Sequence, residues 1–196
     1  ADVPARLTAL AASAANESAW NGTTVEPGKD ASGVYQIGTA EELAWLAAEI
    51  NNSSNNSQSY SAVLTADIDL GYRPWTPIGC YVDWQNNHPY RGVFDGQGHT
   101  VSHVTVKGGD NAGFFNVTLG AVIKNLHLSD VNVTGGSRVG GLVGWAQAEL
   151  DRQDMAGSKA GLVGSCTVSG TVSGSRAVGG LVGLNYCAGF LDDQPS

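Results

Sequence analysis

From Ala62 onward, apolar and polar positions alternate in short bursts, each ending in glycine or a small polar corner. AVLTADIDL (Ala62–Leu70), HTVSHVTV (His99–Val106), AVIKNLHL (Ala121–Leu128) and GLVGSCTV (Gly161–Val168) superimpose as one unit. The unit is an apolar residue, a corner of two or three residues, then apolar-polar-apolar, the period of strands with alternate side chains turned inward. On this alignment Ile68, Val104, Leu126 and Cys166 share one position, and Leu70, Val106, Leu128 and Val168 the next. Two identical copies of GGLVG, Gly140–Gly144 and Gly179–Gly183, follow as a third side, with a looser AGFF at Ala112–Phe115. By the same register, GLVG at Gly161–Gly164 is the counterpart of VIKN and not another copy of GGLVG.

Self-similarity on this scale decides the fold class. The implied spacing is about 22 residues from Val104 to Leu126 and nearer 40 from Leu126 to Cys166, where Trp145–Lys159 is inserted. Three strands to a coil, stacked at about 4.8 Å, predict an all-β chain. The expected form is a right-handed parallel β-helix of about four to five coils.

The period changes once. Thr39 and Glu42 form a Ser/Thr-x-x-Glu capping box, and Leu43, Leu46, Ala47 and Ile50 fall on one helical face. This predicts a helix over Thr39–Asn52 that covers the first coil, whose apolar interior and strand edges would otherwise be bare. The expected organisation is therefore an Ala-rich segment or linker over 1–19 and a strand plus capping helix over 20–61. The β-helix then fills 62–196, with inserts at 80–90 and 145–159. After the second GGLVG, LNYCAGFLDDQPS carries no amphipathic pattern. The sequence thus reads as a fragment, its last coil covered by further coils or a neighbouring domain of the same polypeptide.

Composition narrows the partners. The 196 residues carry a formal net charge of -8 and only 10 Lys+Arg, without the basic footprint of a nucleic-acid binder. No apolar run reaches the roughly 20 residues of a membrane helix, so membrane insertion is not expected. Cys80, Cys166 and Cys187 form no CxxC pair and read as small buried hydrophobes. Leu184 aligns with Trp145, which places Cys166 and Cys187 apart. His99 and His103, four residues apart on strands, are separated by about 13 Å and do not form a metal pair. His127 is expected on the surface. No metal and no cofactor is implied.

With these elements on the page, a resemblance is visible. VGGLVG (Val139–Gly144 and Val178–Gly183), WTPIG (Trp75–Gly79) and YRGVFDGQGHTVS (Tyr90–Ser102) resemble the GLUG-motif β-helices of bacterial secreted and surface proteins. These include adhesin-like proteins and non-catalytic parts of IgA-cleaving metallopeptidases. The resemblance implies a non-catalytic, secreted or cell-surface module of a larger protein. There is no HExxH, so peptidase chemistry does not reside in this chain.

Two sets of residues are candidates for function. The insert CYVDWQNNHPY (Cys80–Tyr90) interrupts the repeat and carries Tyr81, Asp83, Trp84, His88 and Tyr90. Aromatic faces beside amides and carboxylates suit stacking on a host glycan or anchoring a glycoprotein, and inserted loops on rigid scaffolds commonly carry function. Asp67, Asp69 and Asp95 are the weaker set. Paired carboxylates would make the chain a polysaccharide hydrolase or lyase if stacking held them several ångströms apart.

Overall fold

A computed structural model describes residues 20–53, 59–83, 87–149 and 158–186. The chain is mostly β with one helix among the described residues. Strand β1 (Tyr35–Ile37) leads into helix α1 (Ala40–Asn52), and β2 (Ala62–Leu64) and β3 (Ile68–Asp69) follow. A small hairpin, β4 (Cys80–Tyr81) and β5 (Asn87–His88), precedes β6 (Val93–Asp95), β7 (Thr100–Ser102), β8 (Thr105–Lys107) and β9 (Phe115–Leu119). Then come β10 (Val122–Lys124), β11 (His127–Thr134), β12 (Ser137–Gly140) and β13 (Val143–Gln147). The described chain closes with β14 (Leu162–Gly164), β15 (Thr167–Ser173), β16 (Arg176–Gly179) and β17 (Val182–Tyr186).

The strands sort into parallel sheets whose neighbours follow in chain order. The first runs β1-β2-β6-β10-β14 and the second β3-β7-β11-β15, with β8 also on β11. The third runs β9-β13-β17, and β12 pairs β16. The two GGLVG copies lie in register, Gly140 on Gly179 and Val143 on Val182, and AGFF joins them through Phe115 on Val143. GLVG lies against AVIK, with Leu162 on Val122 and Val163 on Ile123, as the spacing predicts.

The expected register is corrected in the first two units, and Ile68 faces Val101 rather than Val104. HTVSHVTV does not align with AVIKNLHL as a block, because Val101, not Val106, faces Leu128, and Val106 faces Val133. The counterpart of AVIK is instead GVFD, through Val93 on Val122 and Phe94 on Ile123. The step from Val101 to Leu128 is therefore 27 residues rather than 22. Two features hid this. The turn after Asp95 holds extra residues, and Val101, Val104 and Val106 all fit an apolar slot, so a gapless alignment slides along them. The step from Leu128 to Val168 is 40 residues, as expected. The second insert is shorter than its expected bounds, because Trp145 and Gln147 are strand residues of β13.

Corners, more than strands, carry the repeat's geometry. Left-handed backbone recurs where consecutive layers turn: Tyr72, His103 and Asp130 at one corner, Asn111, Arg138 and Ala177 at another, Asn125 and Ser165 at a third. Each has φ between 50° and 59°, a conformation that costs non-glycine residues something and persists where its surroundings fix it. The ladders on either side hold these corners in place. The His103 amide donates to Ser129 O, and the Asn111 amide to Ser137 O.

The core is aromatic in its middle layers. Tyr90, Phe94, Phe114 and Phe115 are fully buried, and Phe114 stacks on Trp75 at 5.2 Å between centroids. Helix α1 belongs to the same cluster through Leu43, Leu46 and Ile50. Its capping box forms as predicted: the Glu42 amide donates to Thr39 Oγ1 and the Thr39 amide to Glu42 Oε2. Asn51 Nδ2 donates to Pro77 O, tying the helix end to the layer beneath. In the last described layer, Val168, Val172 and Leu181 are only half-buried. One layer earlier, Leu128, Val133 and Leu142 are buried.

Candidate ligand-binding site

The carboxylates do not gather. Asp69 lies on β3, in register with Ser102, whereas Asp95 lies on β6 of the other five-stranded sheet, in register with Val63 and Lys124. Each acid holds up its own corner. Asp67 Oδ1 accepts from the Thr100 amide at 2.9 Å and lies 3.1 Å from His99 Nδ1. These two contacts hold its carboxyl below the ordinary value. Asp69 Oδ1 accepts from the Gly71 amide and lies 2.7 Å from His103 Nδ1, while His103 Nε2 is 3.8 Å from Asp130. For Asp95, burial opposes ionisation, but Asn125, the Gln97 amide and Lys124 outweigh it and lower its pKa. This is the chemistry of turn closure, in which each carboxylate is engaged by amides or side chains of its own corner.

The Cys80–Tyr90 insert is a hairpin at its base. Cys80 pairs with His88 and Tyr81 with Asn87, antiparallel within an otherwise parallel set of sheets. Asp83 is exposed and its carbonyl accepts from Asn87 Nδ2. Trp84 lies outside the described residues. Half-buried His88 has a buried Nδ1 with no hydrogen-bond partner among the described residues.

Tyr90 is a correction. It bridges Thr118 in parallel and sits in the core against Phe115, with ring centroids 5.3 Å apart, so it cannot touch a ligand. Its position after Pro89 reads as the end of an insert, yet the chain has already rejoined the sheet there. Burial raises its phenol far above the usual tyrosine range.

Tyr81 does face a space. A groove of about 230 Å³ runs between the hairpin and the outer side of β9 and β13, lined by Tyr81, Pro89, Arg91, Val117, Trp145 and Gln147 among others. Tyr81 meets Trp145 edge-on at 5.4 Å, and the Arg138 guanidinium lies 4.8 Å from the Trp145 ring centroid. Sheet register extends this face: Trp145 is flanked by Val117 and Leu184, and Gln147 by Leu119 and Tyr186, the last half-exposed. At the rim, Arg91 donates to Glu149, and Lys159 Nζ lies 3.7 Å from the same carboxylate.

The sequence pattern does not single out Trp145, Arg91 or Arg138. Trp145 was assigned to an insert, although its alignment with Leu184, which the register bears out, already marked it as a strand position. Arg91 and Arg138 stand in or beside the repeated motifs and read there as scaffold. Cys80 and Cys166 are free thiols, half-buried and pushed up in pKa chiefly by desolvation. Cys187 lies outside the described residues. Among the described residues no helix is long and apolar enough to cross a membrane.

Comparison with known proteins bears out the resemblance. Residues 135–173 match the model of the GLUG motif, a span holding the first GGLVG and the strands that follow it. The chain is 33% identical over 186 residues to halomucin of Haloquadratum walsbyi, covering 89% of this chain and 2% of that protein. The chain thus spans a small part of the curated relative it matches. Among solved structures it is similar to a proposed immunoglobulin A1 protease from Bacteroides ovatus, at 15% identity and a TM-score of 0.38. That likeness covers 84% of this chain and 66% of the other, and is too slight to bear on activity.

Proposed function

We propose that the chain is a non-catalytic module of a larger secreted or cell-surface protein, wound as a right-handed parallel β-helix. It serves as a rigid spacer with a binding surface for a host glycan or glycoprotein. The observation that carries this reading is the order of the sheets: each is visited in chain sequence, in parallel, with register kept across an insertion. Such stacking makes an elongated, quasi-one-dimensional body suited to distance and display. The GLUG match and the much longer halomucin relative support a part of a larger extracellular protein. The carboxylates engaged at separate corners support a non-catalytic role.

The binding surface in this reading is the hairpin and the groove beneath it, with Tyr81 as the residue common to sequence pattern and geometry. Asp83, His88 and Trp84 stand on the same insert. The module's further partners in this reading are the neighbouring domains of its own polypeptide. The test is a glycan and glycoprotein array probed with the chain and with Tyr81→Ala and Trp84→Ala. Binding that either substitution removes supports recognition through the hairpin. Absence of binding to every probe overturns the recognition role and leaves the spacer.

A further inference from the structure

Two of the residues that line the groove between Tyr81 and Trp145 carry buried donors without partners among the described residues. Six buried side-chain polar atoms have no hydrogen-bond partner among the described residues, and two of them, Arg91 Nε and Trp145 Nε1, belong to residues lining this groove. Both atoms can only donate. A buried donor left without an acceptor keeps its desolvation penalty uncompensated, so two such atoms on neighbouring lining residues are unusual in a region that carries only structure. Arg91 spends one arm of its guanidinium on Glu149 and leaves Nε without an acceptor. Arg138, engaged by Asp110 and Asn111, adds a second guanidinium over the Trp145 ring.

Resting on the recognition reading above, we infer that this groove is a subsite for one carboxylate-bearing sugar residue, such as a uronic acid. The donors set the charge and the walls set the shape. A carboxylate presents two oxygens that accept, and a guanidinium binds such a group in a paired geometry. Tyr81, Pro89 and Trp145 supply apolar surface for the C–H faces of a pyranose ring. A space of about 230 Å³ lies below the roughly 300–1,000 Å³ of sites for drug-sized ligands, which limits the occupant to a single sugar residue.

Glu149 fixes how the ligand enters. Its carboxylate already occupies the outer arm of Arg91 and reaches Lys159. The incoming carboxylate takes the edge that Glu149 leaves, through the part of the Arg91 side chain, 17% of it, that remains exposed. The two donor atoms are shielded in the free protein, so binding draws Arg91 toward the sugar by a side-chain rotation. Of the tryptophan fluorescence of the chain, the part that Trp145→Phe removes reports this step, because the Trp145 ring contacts both Tyr81 and Arg138.

The experiment titrates glucuronate and, separately, glucose into the chain and three variants, following tryptophan fluorescence and calorimetric heat. The variants are Arg91→Gln, which keeps a polar side chain, Trp145→Phe, which keeps an aromatic ring but removes the indole donor, and Tyr81→Ala. Circular dichroism checks that each is folded. Glucuronate is expected to bind at least about tenfold tighter than glucose, the value of one charge-assisted hydrogen bond. Arg91→Gln removes that preference, Trp145→Phe weakens glucuronate about tenfold, and added salt weakens it further. Equal binding of the two sugars overturns the inference, as does glucuronate binding that Arg91→Gln leaves intact. If array hits persist and depend on Tyr81 while glucuronate does not bind, the recognition reading survives and this subsite falls. If no glycan binds, both fall.

Discussion

The carbonyl oxygen of Asn111 lies 2.1 Å from where a Cβ on Gly144 would stand. Asn111 is a left-handed corner of one layer and Gly144 the last glycine of the first GGLVG in the next. The second copy repeats the relationship, with a Cβ on Gly183 falling 2.5 Å from Val139 N, beside the equivalent corner at Arg138. The closing glycine of the motif is thus a contact between layers, required by the closeness of two backbones.

Gly144→Ala is therefore expected to push two layers apart, and the obstructing atoms are backbone with little room to yield. Overpacking of this kind costs about 1–3 kcal/mol and sometimes more. Gly180→Ala, where a Cβ meets nothing within 4 Å, should be close to neutral. Urea unfolding of both variants checks the contrast, and equal midpoints would refute it.

Tyr90 supplies a second contrast. Its hydroxyl is buried with no partner among the described residues, so Tyr90→Phe should leave stability unchanged or raise it slightly. Tyr90→Ala would empty a fully buried site and cost about 3–5 kcal/mol. Neither substitution should alter glycan binding except through unfolding. A folded Tyr90→Phe protein that loses binding would restore this residue to the site.

The sequence revealed the repeating layers for a physical reason: a parallel strand shows its buried side in every second residue, and GGLVG repeats that side together with its closing contact. Helix α1 was equally legible, because a capping box is local chemistry. Register between Ala62 and Val106 was not. Val101, Val104 and Val106 are interchangeable in an alternating pattern, and the hydrogen bonds that choose among them come from a neighbour dozens of residues away. The groove was legible only on its hairpin side. Tyr81 stood out as an aromatic in an interruption, whereas Trp145 looked like part of another interruption until pairing placed it between Val117 and Leu184.

Acid should loosen the corners first. In the folded chain Asp67, Asp95 and Asp110 all have pKa values below the ordinary 3.8. For Asp110 the causes are the Ser137 amide and hydroxyl, with Arg138 beyond them. A carboxyl depressed in the folded state contributes stability that is present above its unfolded pKa and lost as pH falls through its folded one. Thermal midpoints are thus expected to hold from neutral pH down to about 4 and to fall below it. Asp95→Asn, at the least exposed of the three, should flatten that fall. A midpoint that rises below pH 4 would contradict the assignment.

The carboxylates also make a catalytic prediction. The chain should release no reducing ends or unsaturated products from neutral or acidic polysaccharides, and Asp69→Ala should therefore have no activity to remove. Asp95→Ala should instead lower the thermal midpoint, because Gln97, Lys124 and Asn125 lose their shared acceptor. Turnover that disappears with either substitution would establish a polysaccharide-cleaving enzyme.

Glu149 and Lys159 form a neck closed by two reciprocal backbone hydrogen bonds of 2.7 and 2.8 Å. Pairing is intact up to Gln147 and resumes at Leu162. The register on both sides is therefore kept across the residues that separate Glu149 from Lys159 in the sequence. Such a neck is a graft point: a foreign loop, an epitope or a small folded domain with closely spaced termini can be spliced there without shifting a rung of the ladder. Beside a groove whose walls include Trp145 and Arg91, length changes at this neck can retune what the surface meets while the scaffold keeps its pitch.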